Sequence, residues 1–98
     1  MVKDILKLKR RDDKLYQVWW NMIGRCYRTI NKDYKHYGAR GIKIHGNWFI
    51  YENFKKWALK NGYDYKNKLQ IDRINNNDGY SPYNCRWVTS LEQNNNKR

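Results

Sequence analysis

The sequence from Lys68 to Arg98, KLQIDRINNNDGYSPYNCRWVTSLEQNNNKR, leaves few choices for how this part of the chain can fold. Hydropathy alternates over residues 69–74, turn-forming residues fill 75–83, and a short apolar segment centred on Trp87 follows at 85–88. Thr89 and Glu92 have the spacing of a capping box, which predicts a helix that begins at about Ser90. The predicted order is strand, loop, strand and helix, a ββα module at 68–98.

Two further helices are predicted upstream of this module. Residues 13–28 carry one apolar stripe with helical spacing, made of Leu15, Val18, Trp19, Met22, Ile23, Cys26 and Tyr27. Arg25 and Arg28 are expected on the outer face of that helix. Residues 49–61 place Ile50, Phe54, Trp57 and Ala58 on one face, and Gly62 follows as a helix-ending glycine.

The segment between the helices reads as a loop followed by a short β-hairpin. Gly38 and Gly41 predict a turn that needs positive φ within the loop 29–41. Residues 42–44 (IKI) alternate like a strand and 45–47 turn the chain. The predicted fold is therefore α+β, with an amphipathic helix, a short β-hairpin, a second helix and the C-terminal ββα module. Residues 1–14 form a basic arm, and 15–98 form a single domain.

Charge indicates the class of partner. The 98 residues contain 21 Lys and Arg against 9 Asp and Glu, a formal net charge of +12. Such an excess favours polyanions, with nucleic acid foremost. No apolar segment approaches the length of a membrane span or of a signal peptide, so we expect no membrane partner and a cytoplasmic location. The cysteines and histidines match no zinc spacing, and Cys26 and Cys85 are predicted to be buried thiols.

Basic and aromatic side chains alternate in the segment from Tyr34 to Arg40. This interleaving is typical of surfaces that follow phosphates and stack bases, although an ordinary exposed loop has the same composition. The residues predicted to bind nucleic acid are Lys35, Arg40, Lys43, Arg73, Asn75, Lys97 and Arg98.

Three segments in order carry a resemblance to a known family: YGARGI at 37–42, NWFIYENFKKWA at 47–58 and IDRINNNDGYSPYNCRWVTSLEQNNN at 71–96. Together they resemble the small HNH endonuclease-like proteins of phages and mobile elements. The resemblance implies a ββα-metal fold, DNA rather than RNA as partner, and one divalent cation, Mg²⁺ or Mn²⁺. It implies that Asp72 is a metal ligand, that Gln93 or Asn94 completes the metal site, and that Asn84 orients the general base.

The position of that general base is occupied by Arg73 instead of the family's histidine. Arginine stays protonated, so it cannot accept a proton from water, and a general base contributes about 10²–10⁴ in rate. We therefore expect phosphodiester cleavage to be weak or lost, with Arg73 left to clamp a phosphate. A structural alternative stays open. Asp72 and Asn84 could serve structure alone, with Asn84 satisfying backbone groups of the loop 75–83.

A second functional hypothesis belongs to another class. A degenerate HNH fold can serve as a phage counter-defence inhibitor of the anti-CRISPR kind. Such a protein would bind a host defence nucleoprotein complex through its basic and aromatic surface.

Overall fold

The computed structural model describes residues 13–92 of the chain. Helix α1 spans Asp13–Tyr27 and helix α2 spans Tyr51–Lys60. Strands β1 (Leu69–Arg73) and β2 (Cys85–Thr89) form an antiparallel two-stranded sheet. Short 3₁₀ turns at Tyr34–His36, Gly38–Arg40 and Gly46–Phe49 fill the space between the helices. Helices and a small sheet in one unit make an α+β fold, as the sequence predicts.

The apolar stripe of α1 faces the core, with Val18, Trp19 and Ile23 partly buried against it. Leu15, Met22 and Cys26 are each no more than 3% exposed. Tyr27, which the sequence places on the same stripe, is 42% exposed, and its hydroxyl accepts a hydrogen bond from the Ile44 backbone N–H at 3.0 Å. Between residues 13 and 92, neither helix has the length and continuous apolarity of a membrane span.

Helix α2 ends as the sequence predicts and begins differently. Gly62 has φ +95°, and the Tyr63 N–H bonds the Ala58 carbonyl at 3.0 Å, the closing bond of a Schellman motif. Phe54 and Ala58 are fully buried. Ile50 was expected on this apolar face, but it is 60% exposed, because it lies in extended conformation as the N-cap of α2.

The sheet separates two sets of side chains. Leu69, Ile71 and Trp87 pack against the core, whereas Asp72 lies opposite Arg86 on the other face. The predicted capping box follows β2. The Thr89 Oγ1 accepts from the Glu92 N–H at 3.2 Å, and Glu92 Oε1 accepts from the Thr89 N–H at 2.8 Å. Residues 90–92 are helical, and 93–98 lie outside the described residues.

The predicted β-hairpin at 42–47 is wrong. Within residues 13–92, Ile44 forms an isolated parallel bridge with Tyr80 from the distant loop. The His45 N–H bonds the Tyr80 carbonyl at 2.8 Å, and the Tyr80 N–H bonds the Lys43 carbonyl at 2.9 Å. The chain then enters the 3₁₀ turn Gly46–Phe49 instead of returning as a second strand. Backbone groups that would bond within a local hairpin bond instead to Tyr80, which is distant in the sequence.

Aromatic rings form much of the core. Trp48 is 2% exposed, and its ring centroid lies 5.0 Å from that of Phe54 and 4.8 Å from that of Trp57. The backbone carbonyl of Trp48 accepts a hydrogen bond from the Trp19 indole N–H at 2.7 Å. Trp87 closes the cluster from the sheet, 5.7 Å from Trp57. The chain has few aliphatic residues, and a few large aromatic rings supply the buried apolar area of the core instead.

Gly79 allows the distant loop to reach residues 43–45, and this close approach can be tested. A Cβ at Gly79 would collide with the Lys43 carbonyl oxygen, which is backbone and cannot swing away. We expect Gly79→Ala to lower the free energy of unfolding by about 1–3 kcal/mol, as overpacking does. Urea titration followed by circular dichroism measures this loss. Gly46→Ala is the matched control, because a Cβ there meets no atom within 4 Å. Equal stability of the two variants would contradict the close approach.

Candidate nucleic-acid interface

Two arginines from distant parts of the chain meet at one backbone carbonyl. Arg40 Nη2 donates to the Asn76 carbonyl at 3.1 Å, and Arg73 Nη1 donates to the same oxygen at 2.7 Å. Arg40 ends the second 3₁₀ turn after α1, whereas Arg73 ends β1. Arg73 also bonds the Asp78 carbonyl at 2.9 Å, and Arg40 bonds the His36 carbonyl at 3.1 Å. The loop 75–83 therefore holds two guanidinium groups side by side.

Behind the two arginines lies a stacked pair of tyrosines. The rings of Tyr37 and Tyr80 are 6.3 Å apart between centroids and inclined by 21°. The guanidinium carbon of Arg73 lies 5.1 Å from the Tyr37 centroid and 5.4 Å from that of Tyr80. Arg25 of α1 flanks the same rings at 5.1 and 5.7 Å. We call Arg25, Tyr37, Arg40, Arg73 and Tyr80 the basic–aromatic cluster.

The charge of this cluster is not neutralised by carboxylates of the described residues. Asp72 pairs with Arg86, which is outside the cluster, at 3.0 Å between Oδ2 and Nε. Arg25 Nη2 instead donates to the Tyr80 hydroxyl at 3.1 Å. Burial raises the pKa of Tyr80 to about 12, against the opposing effect of Arg25. The tyrosine therefore stays neutral at physiological pH, and the cluster keeps its positive charge.

Asn84 fixes the loop that the arginines hold. Its Oδ1 accepts from the Asn75 N–H at 2.9 Å, and its Nδ2 donates to the carbonyls of Asn75 and Gly79 at 3.1 and 2.8 Å. These bonds are the structural alternative that the sequence left open for Asn84. The hydrogen bonds of its side chain go to Asn75 and Gly79, so a role in orienting a base stays a prediction.

Of the residues predicted to hold a metal ion, Asp72 is the one that the structure describes. Asp72 faces Arg86 on one side of the sheet, while Arg73 turns to the other side. From residue 13 to residue 92 no three His, Cys, Asp or Glu side chains form a cluster that could hold an ion. Gln93 and Asn94 lie outside the described residues, so the cation stays a prediction.

The other predicted binding residues fall in different places. Lys35 and Lys43 are exposed. Asn75 is engaged in its own turn, where its Oδ1 accepts from the Asn77 N–H at 2.9 Å. Lys97 and Arg98 lie outside the described residues, as does most of the basic arm, of which Asp13 and Lys14 belong to α1.

Sequence reasoning missed two members of the cluster, Tyr80 of the loop 75–83 and Arg25 of α1. Arg25 was expected on the solvent face of α1 but is half-buried against two tyrosines. Its place directly before the buried Cys26 was the available signal, since it borders the apolar stripe.

Comparisons of the chain with protein-family models, with curated proteins and with solved structures find no match.

The two thiols lie near the cluster and are expected to be unreactive. Burial raises the pKa of Cys26 to about 11 and that of Cys85 to about 12, from 9.0. We expect iodoacetamide at about pH 8 to label the folded protein far more slowly than the urea-unfolded chain, because the thiolate is the nucleophile. Folding raises both pKa values, so the contribution of the two thiols to the stability of the folded state is fully present below pH 9.0. It is lost as the pH rises through about 11 for Cys26 and about 12 for Cys85. Rapid labelling of the folded protein would contradict the burial.

Proposed function

We propose that this protein binds nucleic acid through the basic–aromatic cluster, with duplex DNA as the expected form. The observation that carries the proposal is the convergence of Arg40 and Arg73 on the Asn76 carbonyl. Two like charges held this close repel each other, so the arrangement favours a bound anion. The expectation of DNA instead of RNA comes from the resemblance to HNH endonuclease-like proteins.

The donor geometry supports phosphate as the group that is bound. Arg73 uses only Nη1 for the loop, so the N–H groups of its Nε and Nη2 have no acceptor in residues 13–92. A guanidinium with one edge fixed and another edge free presents a rigid fork that suits a phosphate. Exposed Lys35 and Lys43 extend the positive surface along the chain. Such contacts position a protein on the nucleic-acid backbone without reading its sequence.

Variants of single basic residues test the proposal. We expect Arg40→Ala and Lys43→Ala each to weaken the binding of duplex DNA, measured in chelator by electrophoretic shift. Each should also lower the slope of log K against log salt by about one unit. Lys56→Ala on α2 is the matched control, because it removes an exposed charge from an element outside the cluster. A parallel titration with duplex RNA tests the preference for DNA. Unchanged affinity in both cluster variants would contradict the proposed surface.

We further propose that cleavage by this protein is weak or lost. Arg73 stands where the resemblance requires a histidine, and the guanidinium is held by two backbone carbonyls of the loop. A plasmid-nicking assay with Mg²⁺ or Mn²⁺ measures cleavage directly, and the same assay in chelator is its control. Robust metal-dependent nicking would overturn it and require a base elsewhere in the chain.

A second candidate, the counter-defence inhibitor, is favoured by one observation. Tyr27 and Phe49 are 42% and 49% exposed and lie 5.4 Å apart between ring centroids. Exposed aromatic residues of this kind are frequent in protein interfaces. Pull-down from host lysate with nuclease treatment separates the candidates. An inhibitor retains a stoichiometric nucleoprotein subunit after digestion, and a plain nucleic-acid binder does not.

A further inference from the structure

Arg25 carries a charge that the described residues leave largely uncompensated. Its Nε is buried and has no hydrogen-bond acceptor within residues 13–92. Its guanidinium bonds the neutral hydroxyl of Tyr80 and contacts no carboxylate of these residues. Buried charges in proteins are nearly always paired, and buried polar atoms nearly always bonded. The environment of Arg25 thus favours an anionic ligand beside it.

A cleft of about 310 Å³ lies directly beside this arginine, between α1 and β1. Val18 of α1 and Leu69 and Ile71 of β1 form an apolar wall, and Arg25 supplies its positive charge. The volume lies at the lower end of the range of small-molecule sites and exceeds what a bare phosphate requires. The cleft therefore suits a ligand that joins a small organic body, with both apolar and hydrogen-bonding surface, to an anionic group.

Two amide side chains line the cleft with opposite hydrogen-bonding capacity. The Oδ1 of Asn21 accepts from Gln17 at 3.1 Å, which leaves its amino group available. Gln70 donates from Nε2 to the Ser90 hydroxyl at 3.3 Å, which leaves its carbonyl oxygen available. One donor and one acceptor in the lining of the same cleft match the hydrogen-bonding edge of a nucleobase.

We infer that the cleft between α1 and β1 holds one unpaired nucleotide of the bound strand, with its phosphate at Arg25 and its base between Asn21 and Gln70. The inference rests on the proposed nucleic-acid binding. It adds a preference for nucleic acid that contains an unpaired nucleotide. A base inside a duplex cannot enter a cleft of this kind, so paired DNA contacts the basic–aromatic cluster through Arg40 and Arg73 and leaves the cleft empty. A strand with an unpaired nucleotide uses both.

The test compares a fully paired duplex with the same duplex carrying one central unpaired nucleotide. The wild-type protein is expected to bind the second roughly ten-fold more tightly, the order of a single base contact. Asn21→Phe fills the cleft without changing the charge of the protein, and should reduce the ratio of the two affinities to about one. Asn47→Phe is the matched control, because it makes the same change at an exposed asparagine outside the cleft, and it should keep the ratio. Thermal melts establish that both variants are folded.

Competition identifies the group that the cleft recognises. A nucleoside 5′-monophosphate is expected to abolish the preference for the unpaired nucleotide at concentrations where inorganic phosphate does not. Equal competition by inorganic phosphate would show a phosphate site without base recognition and would overturn the inference.

The two proposals fail in different ways. If neither duplex binds, the proposed function is wrong, and the nucleotide site falls with it because no strand is bound. If both duplexes bind equally well to the wild-type protein, nucleic-acid binding stands and the nucleotide site is overturned. A preference that survives in Asn21→Phe would also overturn it, because the cleft would not be its origin.

Discussion

Replacing Trp48 by alanine is expected to lower the free energy of unfolding by about 3–5 kcal/mol, the cost of truncating a large ring in a packed core. The side chain is 2% exposed and lies between Phe54 and Trp57, so its removal leaves a cavity that neighbouring rings cannot fill. Single domains are stable by only about 5–15 kcal/mol, so the variant would lose a large part of its stability. Urea unfolding followed by circular dichroism measures the change.

The size of this effect can be separated from a general sensitivity to losing an aromatic residue. Tyr83→Ala removes a ring that is 88% exposed, and we expect its stability to stay within about 0.5 kcal/mol of the wild type. Trp87→Ala should rank close to Trp48→Ala, because its ring lies 4.8 Å from Tyr63 and 6.2 Å from Phe54. A Trp48→Ala variant that unfolds at the wild-type urea concentration would show that the aromatic cluster is not the core.

Salt is expected to change nucleic-acid affinity more than any single substitution does. The chain carries a formal charge of +12, and the three cluster arginines contact no carboxylate among residues 13–92. If about six phosphates are neutralised, the affinity for duplex DNA should fall on the order of 10³-fold between about 50 and 200 mM salt, through counterion release. Fluorescence anisotropy of a labelled duplex across this range gives the slope.

A control distinguishes charge neutralisation from a general effect of salt on folding. The urea midpoint of the free protein, measured at the same salt concentrations, should change little over the range in which the affinity collapses. An affinity that is constant across the range would refute the electrostatic basis of the proposal. The Arg40→Ala variant should retain the steep dependence with a slope smaller by about one.

Elements with a local signal were predictable from the sequence. The stripe from Leu15 to Tyr27 defines α1 within one residue of its observed end, and the bonds between Thr89 and Glu92 confirm the capping box. Periodicity and capping act over a few residues, so a single sequence contains them. The α+β class follows from these elements, whereas nothing in residues 13–92 tests the HNH-like assignment of the last segment.

The parts that could not be predicted depend on contacts between distant segments. Ile44 pairs with Tyr80 across 36 positions of sequence, a partner that no local pattern indicates. Trp48 is buried in a 3₁₀ turn, where no helical or strand period points inward. Arg25 was assigned to solvent because an arginine on the outer face of an amphipathic helix is the ordinary case. Its tyrosine partners come from two loops that only the tertiary fold brings together.

Tyr80 belongs to the core and to the interface at the same time, and this has a consequence for affinity. It is 3% exposed, and its backbone is hydrogen-bonded to Lys43 and His45. Its ring contacts the guanidinium groups of Arg25 and Arg73. The loop therefore cannot open independently, and its conformational entropy is lost when the domain folds, before any ligand arrives. Binding then requires no ordering of the loop, which favours rapid docking onto a preorganised surface. Affinity is also tied to stability, because whatever loosens the core disperses the arginines that Tyr80 holds in place.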